Sequence, residues 1–319
     1  MEKTLTVSIA AYNVARYIEK TLESFTDPDI RDRVEVLVIN DGSKDETPEI
    51  AGRYEKEYEG TIRLIDKENG GWGSTVNRGI SEAKGKYFKL LDGDDYFDRD
   101  ELKKLLDLLE KTDADLIYTE YVSFEDETDR EIEHVKVKEG LPTGKVLNIR
   151  DIEVDFTMAM HACTFKTELI KGKFKILEKC FYTDIEYLIK SLVNVDTVLF
   201  ENIGVYRYRL GRAGQSASFE GLRKHYKEHI RVTEELLSFY DGIEDPKMKK
   251  IAGYRLWRMT DYQYYIFLVL EATKEHAGEL ADFDRKLKES YPEFYKTDRS
   301  RIKAFRLLGK GIYRFIVYK

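Results

Sequence analysis

The sequence predicts an α/β fold, a mostly parallel sheet covered by helices, followed by a C-terminal helical region. Three observations carry this. Apolar, β-branched runs alternate with amphipathic stretches as far as residue 118. The connections between them are short. Beyond Phe219 the apolar spacing turns helical and stays so.

The elements follow in order. LTVSIAAY reads as a buried first strand, and ARYIEKTLESF as a helix with Ile18, Leu22 and Phe25 on one face. VEVLVIN is a β-branched second strand. After DGSKDET, Pro48 opens a helix carrying Ile50, Ala51, Tyr54 and Tyr58. TIRLI is the third strand, and STVNRGISEAKG a helix that Gly85 is expected to close. YFKLL is the fourth strand, DELKKLLDLLEK a helix and ADLIYTEYV a fifth strand.

From 119 to 220 the pattern is less regular. YVSFEDETDREIEHVKV suits a hairpin, TDIEYLIKSL a helix, and TVLFE and VYRYR strands. The expected domains are 1–220 and 221–319.

Composition narrows the function. The chain has 319 residues, 42% of them hydrophobic, and only five prolines, which excludes a disordered or repeat architecture. A net charge of −7 argues against nucleic acid as a general partner, although the charge is unevenly spread. Cys163 and Cys180 are too few for a disulfide framework and lack zinc spacing. No signal-like run or ~20-residue apolar span is present. These features predict a cytoplasmic protein.

The chemistry concentrates at strand ends, where open α/β sheets bind ligands. Asn13 follows the first strand, Asp41 the second, Asn69 the third, and Asp92, Asp94 and Asp95 the fourth. Two carboxylates about 5 Å apart repel by roughly 3 kcal/mol at an effective dielectric near 20. A hard divalent cation, Mn²⁺ or Mg²⁺, would turn that repulsion into attraction and leave positions open for a diphosphate. Asp98 and Asp100 suit capping of the next helix instead. ENGGWGS lacks the lysine and hydroxyl ending of a phosphate-binding P-loop.

Taken together, VSIAAYN, VLVINDGSKDET, NGGWGSTVNRGISEAKGKYFKLLDGDD and FYTDIEY resemble, in that order, the inverting family 2 glycosyltransferases of the GT-A (Rossmann-like) fold. The resemblance covers about residues 4–215. It implies a nucleotide-sugar donor, a UDP-sugar above all, and transfer to a hydroxyl of a glycan or lipid-linked acceptor in bacterial polysaccharide or cell-envelope synthesis. Tyr12 and Asp41 match residues holding the base, with Ala10 and Asn13 lining the same pocket; Asn69, after the third strand, is a further donor- or nucleotide-binding candidate. Asn77 and Asp92 match residues facing ribose or donor sugar. Asp94 matches the nucleotide-sugar aspartate and Asp95 the metal-binding one, both being candidate metal ligands. Asp184 matches the general base; without the resemblance, capping of its helix would be the favoured reading. The segment VYRYRLGRAGQSAS resembles a basic closing segment that brings Arg209, Arg212, Gln215 and Ser216 to the diphosphate, while the arginines equally suit a solvated edge strand. His161 is a candidate for the acceptor side or the metal shell. Departures are Ala10 for a common proline, Asn40 for aspartate and Thr183 for glutamate.

The expected last helix, RIKAFRLLGKGIYRFIVYK, holds six basic residues and no acidic one. It suits peripheral docking on the inner face of the cell membrane, or packing on its own domain; self-association into a homo-oligomer is also compatible. Two other classes compete with the enzyme. A receiver-type signalling domain would need adjacent aspartates after its first strand, where AAYN stands. A catalytically inactive sugar-nucleotide-binding module would need no Asp184.

Overall fold

A computed structural model describes residues 3–211 and 219–318. The chain divides into two compact units, Met1–Arg212 and Ala213–Lys319.

The first unit is built on strands β1 (Leu5–Ala11), β2 (Val34–Asn40), β3 (Ile62–Asp66) and β4 (Tyr87–Asp92). Between and around them lie helices α1 (Ile18–Glu23), α2 (Pro28–Arg31), α3 (Thr47–Glu57) and α4 (Trp72–Glu82). Then come β5 (Tyr96–Phe97), α5 (Arg99–Lys111), β6 (Leu116–Tyr118), β7 (Tyr121–Glu125), β8 (Glu131–Val135), β9 (Val146–Asn148) and β10 (Cys163–Lys166). Helices α6 (Thr167–Ile170) and α7 (Thr183–Leu192) precede β11 (Thr197–Phe200) and β12 (Tyr206–Leu210).

A large sheet runs β3-β2-β1-β4-β10-β6-β11-β9, and a smaller one β5-β12-β7-β8. Parallel pairing of β1 with β2 and β4 sets Ala10 beside both Ile39 and Asp92. Strand β10 is antiparallel to both β4 and β6, so the large sheet is mixed. Leu5, Val7, Ile9, Val36, Val38 and Leu91 are fully buried. A central strand covered on both faces favours apolar residues at successive positions, and β1, β2 and β4 read so apart from buried Thr6, Ser8, Glu35 and Lys89.

Three expectations need correction. ADLIYTEYV is two strands in different sheets, because Thr119 and Glu120 donate their N–H groups to Ala162 and Ile203 and turn the chain out of the first ladder. Gly85 does not close α4, which ends at Glu82. Instead β1 runs so close that a Cβ on Gly85 would lie 2.4 Å from Thr6 N. The last expected helix is broken at Gly309, whose φ of +78° favours glycine.

The second unit contains α8 (Phe219–Asp241), α9 (Pro246–Val269), α10 (Lys274–Ser290), α11 (Ser300–Leu308) and α12 (Tyr313–Ile316). Asp245 caps α9 by accepting from Lys247 and Met248 N–H, with Pro246 at the first turn. Between α8 and α9, buried His229 Nδ1 lies 2.7 Å from Gln263 Oε1.

His229 supplies a pH test. Burial outweighs the Gln263 hydrogen bond and pushes its pKa down to about 4, against roughly 6.5 when unfolded. As pH falls the unfolded chain binds this proton first, so the stability is complete above about 6.5 and lost toward 4. The gap corresponds to at most about 3 kcal/mol. Denaturant midpoints measured across this window should fall, and fall less steeply in His229→Gln; equal slopes would refute the assignment.

Candidate functional site

Strand β4 delivers Asp92 to the sheet edge, and the chain then turns through Gly93, Asp94 and Asp95 into β5. Gly93 N–H donates to Ala10 O, and a Cβ on Gly93 would lie 2.9 Å from that oxygen. Thr21 Oγ1 donates to the carbonyls of Gly93 and Asp95 at 3.1 and 2.6 Å. The turn is thus held from β1 and α1 before any carboxylate is considered.

The carboxylates are held from β12. Asp95 is buried, its Oδ2 accepting from Tyr206 Oη at 2.7 Å and its Oδ1 from Arg209 N–H at 2.7 Å. Tyr206 Oη also accepts from Asp92 N–H. Arg209 Nε donates to Asp94 O at 2.7 Å, and Nη1 to Asp126 Oδ1 at 3.0 Å. Its guanidinium lies 4.8 Å from the Tyr17 ring centroid and 4.6 Å from that of Phe124. Asp92 Oδ1 accepts from Trp72 Nε1 at 2.8 Å.

Crowding has an electrostatic signature. Burial, then the charges of Asp94 and Asp92, raise the Asp95 carboxyl well above the usual range. Asp92, Asp95 and His161 each direct one ligand atom into a space where these atoms lie within 4.8 Å of one another. The His161 ring stands 4.7 Å from Tyr206 and 4.3 Å from Tyr208. Burial, with Lys89 adding, pushes its pKa down to about 3, so the imidazole is neutral. Among the described residues its buried Nδ1 has no hydrogen-bond partner. Two carboxylates and a neutral imidazole are a donor set suited to a divalent transition metal. The sequence pairs Asp94 with Asp95; the converging atoms belong to Asp92 and Asp95, with His161.

Asp184 is the second residue of α7. Tyr208 links it to the acidic turn: burial and then the charges of Asp95, Asp92, Asp94 and Asp184 all raise this phenol's pKa. Four carboxylates therefore act on one side chain. The loop before α7 is fixed from several sides. Leu177 N–H donates to Glu186 Oε2 at 3.0 Å, Asn77 exchanges hydrogen bonds with Ile176, and Lys179 N–H donates to Gly70 O. Gly73 packs against it so closely that a Cβ would fall 2.1 Å from Leu177 O. Lys179 and Tyr182 hold positive φ of 52° and 67°, a strain that such contacts must offset.

At the tip of β2, Asp41 is buried and its oxygens accept from Gly70 N–H, Gly71 N–H and Lys67 Nζ at 2.9, 2.8 and 2.5 Å. It organises the GGWG turn, which in turn touches the loop before Asp184. Asn69 Nδ2 donates to Asp41 O. Asn13, with φ of 51°, accepts from Lys44 N–H, while Tyr12 beside it is exposed. Ala10 lies between β2 and β4. Asn77 is engaged with residues 176–178, and Arg209 is directed inward to Asp94 and Asp126. Neither is placed as a ligand contact by these bonds. Arg212, Gln215 and Ser216 lie outside the described residues.

Sequence reasoning missed Lys67, Trp72 as a partner of Asp92, Tyr206, Tyr208 and Asp126. The alternation in VYRYR sets Tyr206 and Tyr208 on one face of a strand, a signal that was available.

Comparison with known proteins bears on the family and the fold. Residues 6–172 match the profile described as Glycosyl transferase family 2. An uncharacterized glycosyltransferase of Mycoplasma pneumoniae, the MG060 homolog, is 29% identical over 239 residues, covering 73% of this chain and 77% of the relative. The putative glycosyltransferase EpsH of Bacillus subtilis is 34% identical over 37% of this chain and 34% of its own length. Among solved structures, S. aureus TarS 1–349 in complex with UDP-GlcNAc aligns with a TM-score of 0.68 at 17% identity, over 98% of this chain and 90% of that one. Mannosyltransferase PcManGT of Pyrobaculum calidifontis, in complex with GDP-Man and Mn²⁺, gives 0.56 at 15% identity, over 99% and 84%. These two share the fold.

Proposed function

The chain belongs to glycosyl transferase family 2, and from that premise we propose that it moves a sugar from a nucleotide-diphosphate donor, a UDP-sugar, to an acceptor hydroxyl with inversion. The product is a cell-surface or other polysaccharide. One observation carries the reading: Asp92, Asp95 and His161 converge where Asp184 also acts on Tyr208.

Asp184 accepts the proton of the acceptor hydroxyl on a carboxylate oxygen as that hydroxyl oxygen bonds to the anomeric carbon. The bond from that carbon to the diphosphate oxygen breaks on the opposite face, which inverts the configuration. Asp92, Asp95 and His161 would hold Mn²⁺ or Mg²⁺, whose charge offsets that of the departing diphosphate. Trp72 fixes Asp92, while Tyr206 and the Arg209 backbone fix Asp95. Asp41, Asn13, Asn69 and Tyr12 border the base pocket, with Asp41 shaping it through Gly70 and Gly71. An inactive binding module lacks a reason to hold the loop before Asp184 in a strained conformation.

Titrating UDP with and without Mn²⁺ tests this. The wild type should bind UDP at least about tenfold more tightly with the cation, and Asp92→Asn/Asp95→Asn should lose that gain. It should also hydrolyse or transfer at least one member of a UDP-sugar panel. UDP binding indifferent to Mn²⁺ in the wild type would overturn the metal assignment.

A further inference from the structure

The second unit ends in a feature that donor chemistry does not use. Leu307, Leu308 and Phe315 are 82, 63 and 70% exposed, an unusual concentration of large apolar side chains within nine positions. They lie on either side of the Gly309 break. The opposite side is firmly anchored: Ile302, Phe305, Tyr313 and Ile316 are buried, Tyr313 Oη donates to Phe267 O, and Arg301 Nη1 donates to Ile316 O. The outward residues are therefore held in solvent by packing behind them.

Charge indicates what they meet. No acidic residue occurs after Asp298, in a chain whose net charge is −7. Arg299 is spent on Asp261 and Arg306 on Asp284, at 2.8 Å each. Among the described residues Lys303 pairs only with exposed Asp298, at 3.5 Å. Lys310 and Arg314 have no ion pair among the described residues, and the Arg314 guanidinium lies 4.5 Å from the Phe315 ring centroid. Lys303 and Leu307, four residues apart, share one face of α11. Cations interleaved with unburied leucine and phenylalanine are the composition of a surface that enters the boundary between headgroups and acyl chains. No helix among the described residues is long and apolar enough to cross a membrane.

We propose that the α11–α12 tip docks on an anionic lipid bilayer, with Leu307, Leu308 and Phe315 inserted and Lys303, Lys310 and Arg314 at the lipid phosphates. The proposal is independent of the donor chemistry.

Cosedimentation of the full chain with vesicles tests it, using phosphatidylcholine alone or with about a third phosphatidylglycerol. The wild type should partition at least about tenfold more strongly to the anionic vesicles, and less at high salt. Leu307→Ser/Leu308→Ser/Phe315→Ser should lose about tenfold or more, and Lys310→Glu/Arg314→Glu should lose binding together with its salt dependence. These positions are exposed, so circular dichroism should show both variants folded, and UDP binding should be unchanged. Failure to bind anionic vesicles, or equal binding by wild type and triple variant, would overturn the proposal. So would a concentration-dependent dimer, dissolved by the triple variant, without vesicle binding.

Discussion

Asp184→Asn is expected to lower kcat by on the order of 10²–10⁴-fold while UDP binding with Mn²⁺ stays within about twofold of wild type. Asparagine keeps the shape and the first-turn position in α7 but cannot take up the acceptor proton. The helix itself should lose only a few tenths of a kcal/mol, since an acidic residue at its start is favoured by the dipole. Initial rates at saturating donor, beside calorimetric titration of UDP, separate the two readings. Loss of a base leaves affinity intact, whereas loss of a cap lowers the melting temperature and spares turnover. A kcat within about threefold of wild type would remove Asp184 from the mechanism.

Gly73→Ala should be the second most damaging change, although it removes no functional group. Its Cβ would sit 2.1 Å from the carbonyl oxygen of Leu177, so helix α4 or the loop before Asp184 must move by about 1 Å. Overpacking of this kind costs about 1–3 kcal/mol, and misplacing a reacting group by 1 Å costs on the order of 10²-fold in rate. Two other glycines frame the result. Gly79→Ala meets Ser8 Oγ at 1.9 Å and should destabilise through strand β1 without acting on the loop. Gly52→Ala meets only Leu64 Cδ2 at 3.8 Å, and alanine should gain up to about 1 kcal/mol in helix α3. Rates and melting temperatures of the three check the ordering. A Gly73→Ala protein that melts lower but turns over normally would uncouple this contact from the positioning of Asp184.

The first four strands and their polar tips were legible because their apolar, β-branched residues dominate each run, so its end is marked where polar residues cluster. Asn13, Asp41, Asn69 and Asp92 were found in that way. Strands β9 and β10 were not, being three and four residues long and flanked by irregular chain, below the length at which periodicity can be read. The break between β6 and β7 was hidden for another reason: Thr119 and Glu120 suit a strand, and only their distant backbone partners draw the chain aside. At the site, spacing along the turn could not reveal that Asp92 and Asp95, rather than neighbouring Asp94 and Asp95, aim at His161. Nor could it distinguish an arginine directed to a phosphate from one on a solvated edge strand or one directed inward, as Arg209 is to Asp94 and Asp126. Nor could it reveal that the Asn77 amide is engaged by a loop about a hundred residues downstream.

The hold of β12 on the acidic turn bears on how the protein is made. The bonds from Tyr206 and Arg209 to Asp95 and Asp94 span 111, 114 and 115 positions of sequence. Contacts of such separation form late and slow the search for the native state. During synthesis the first four strands leave the ribosome long before the strand that secures their carboxylates. A nascent chain stopped short of residue 206 would hold its aspartates without the tyrosine and arginine that fix them, so competence for chemistry arrives only when translation of this unit is nearly finished.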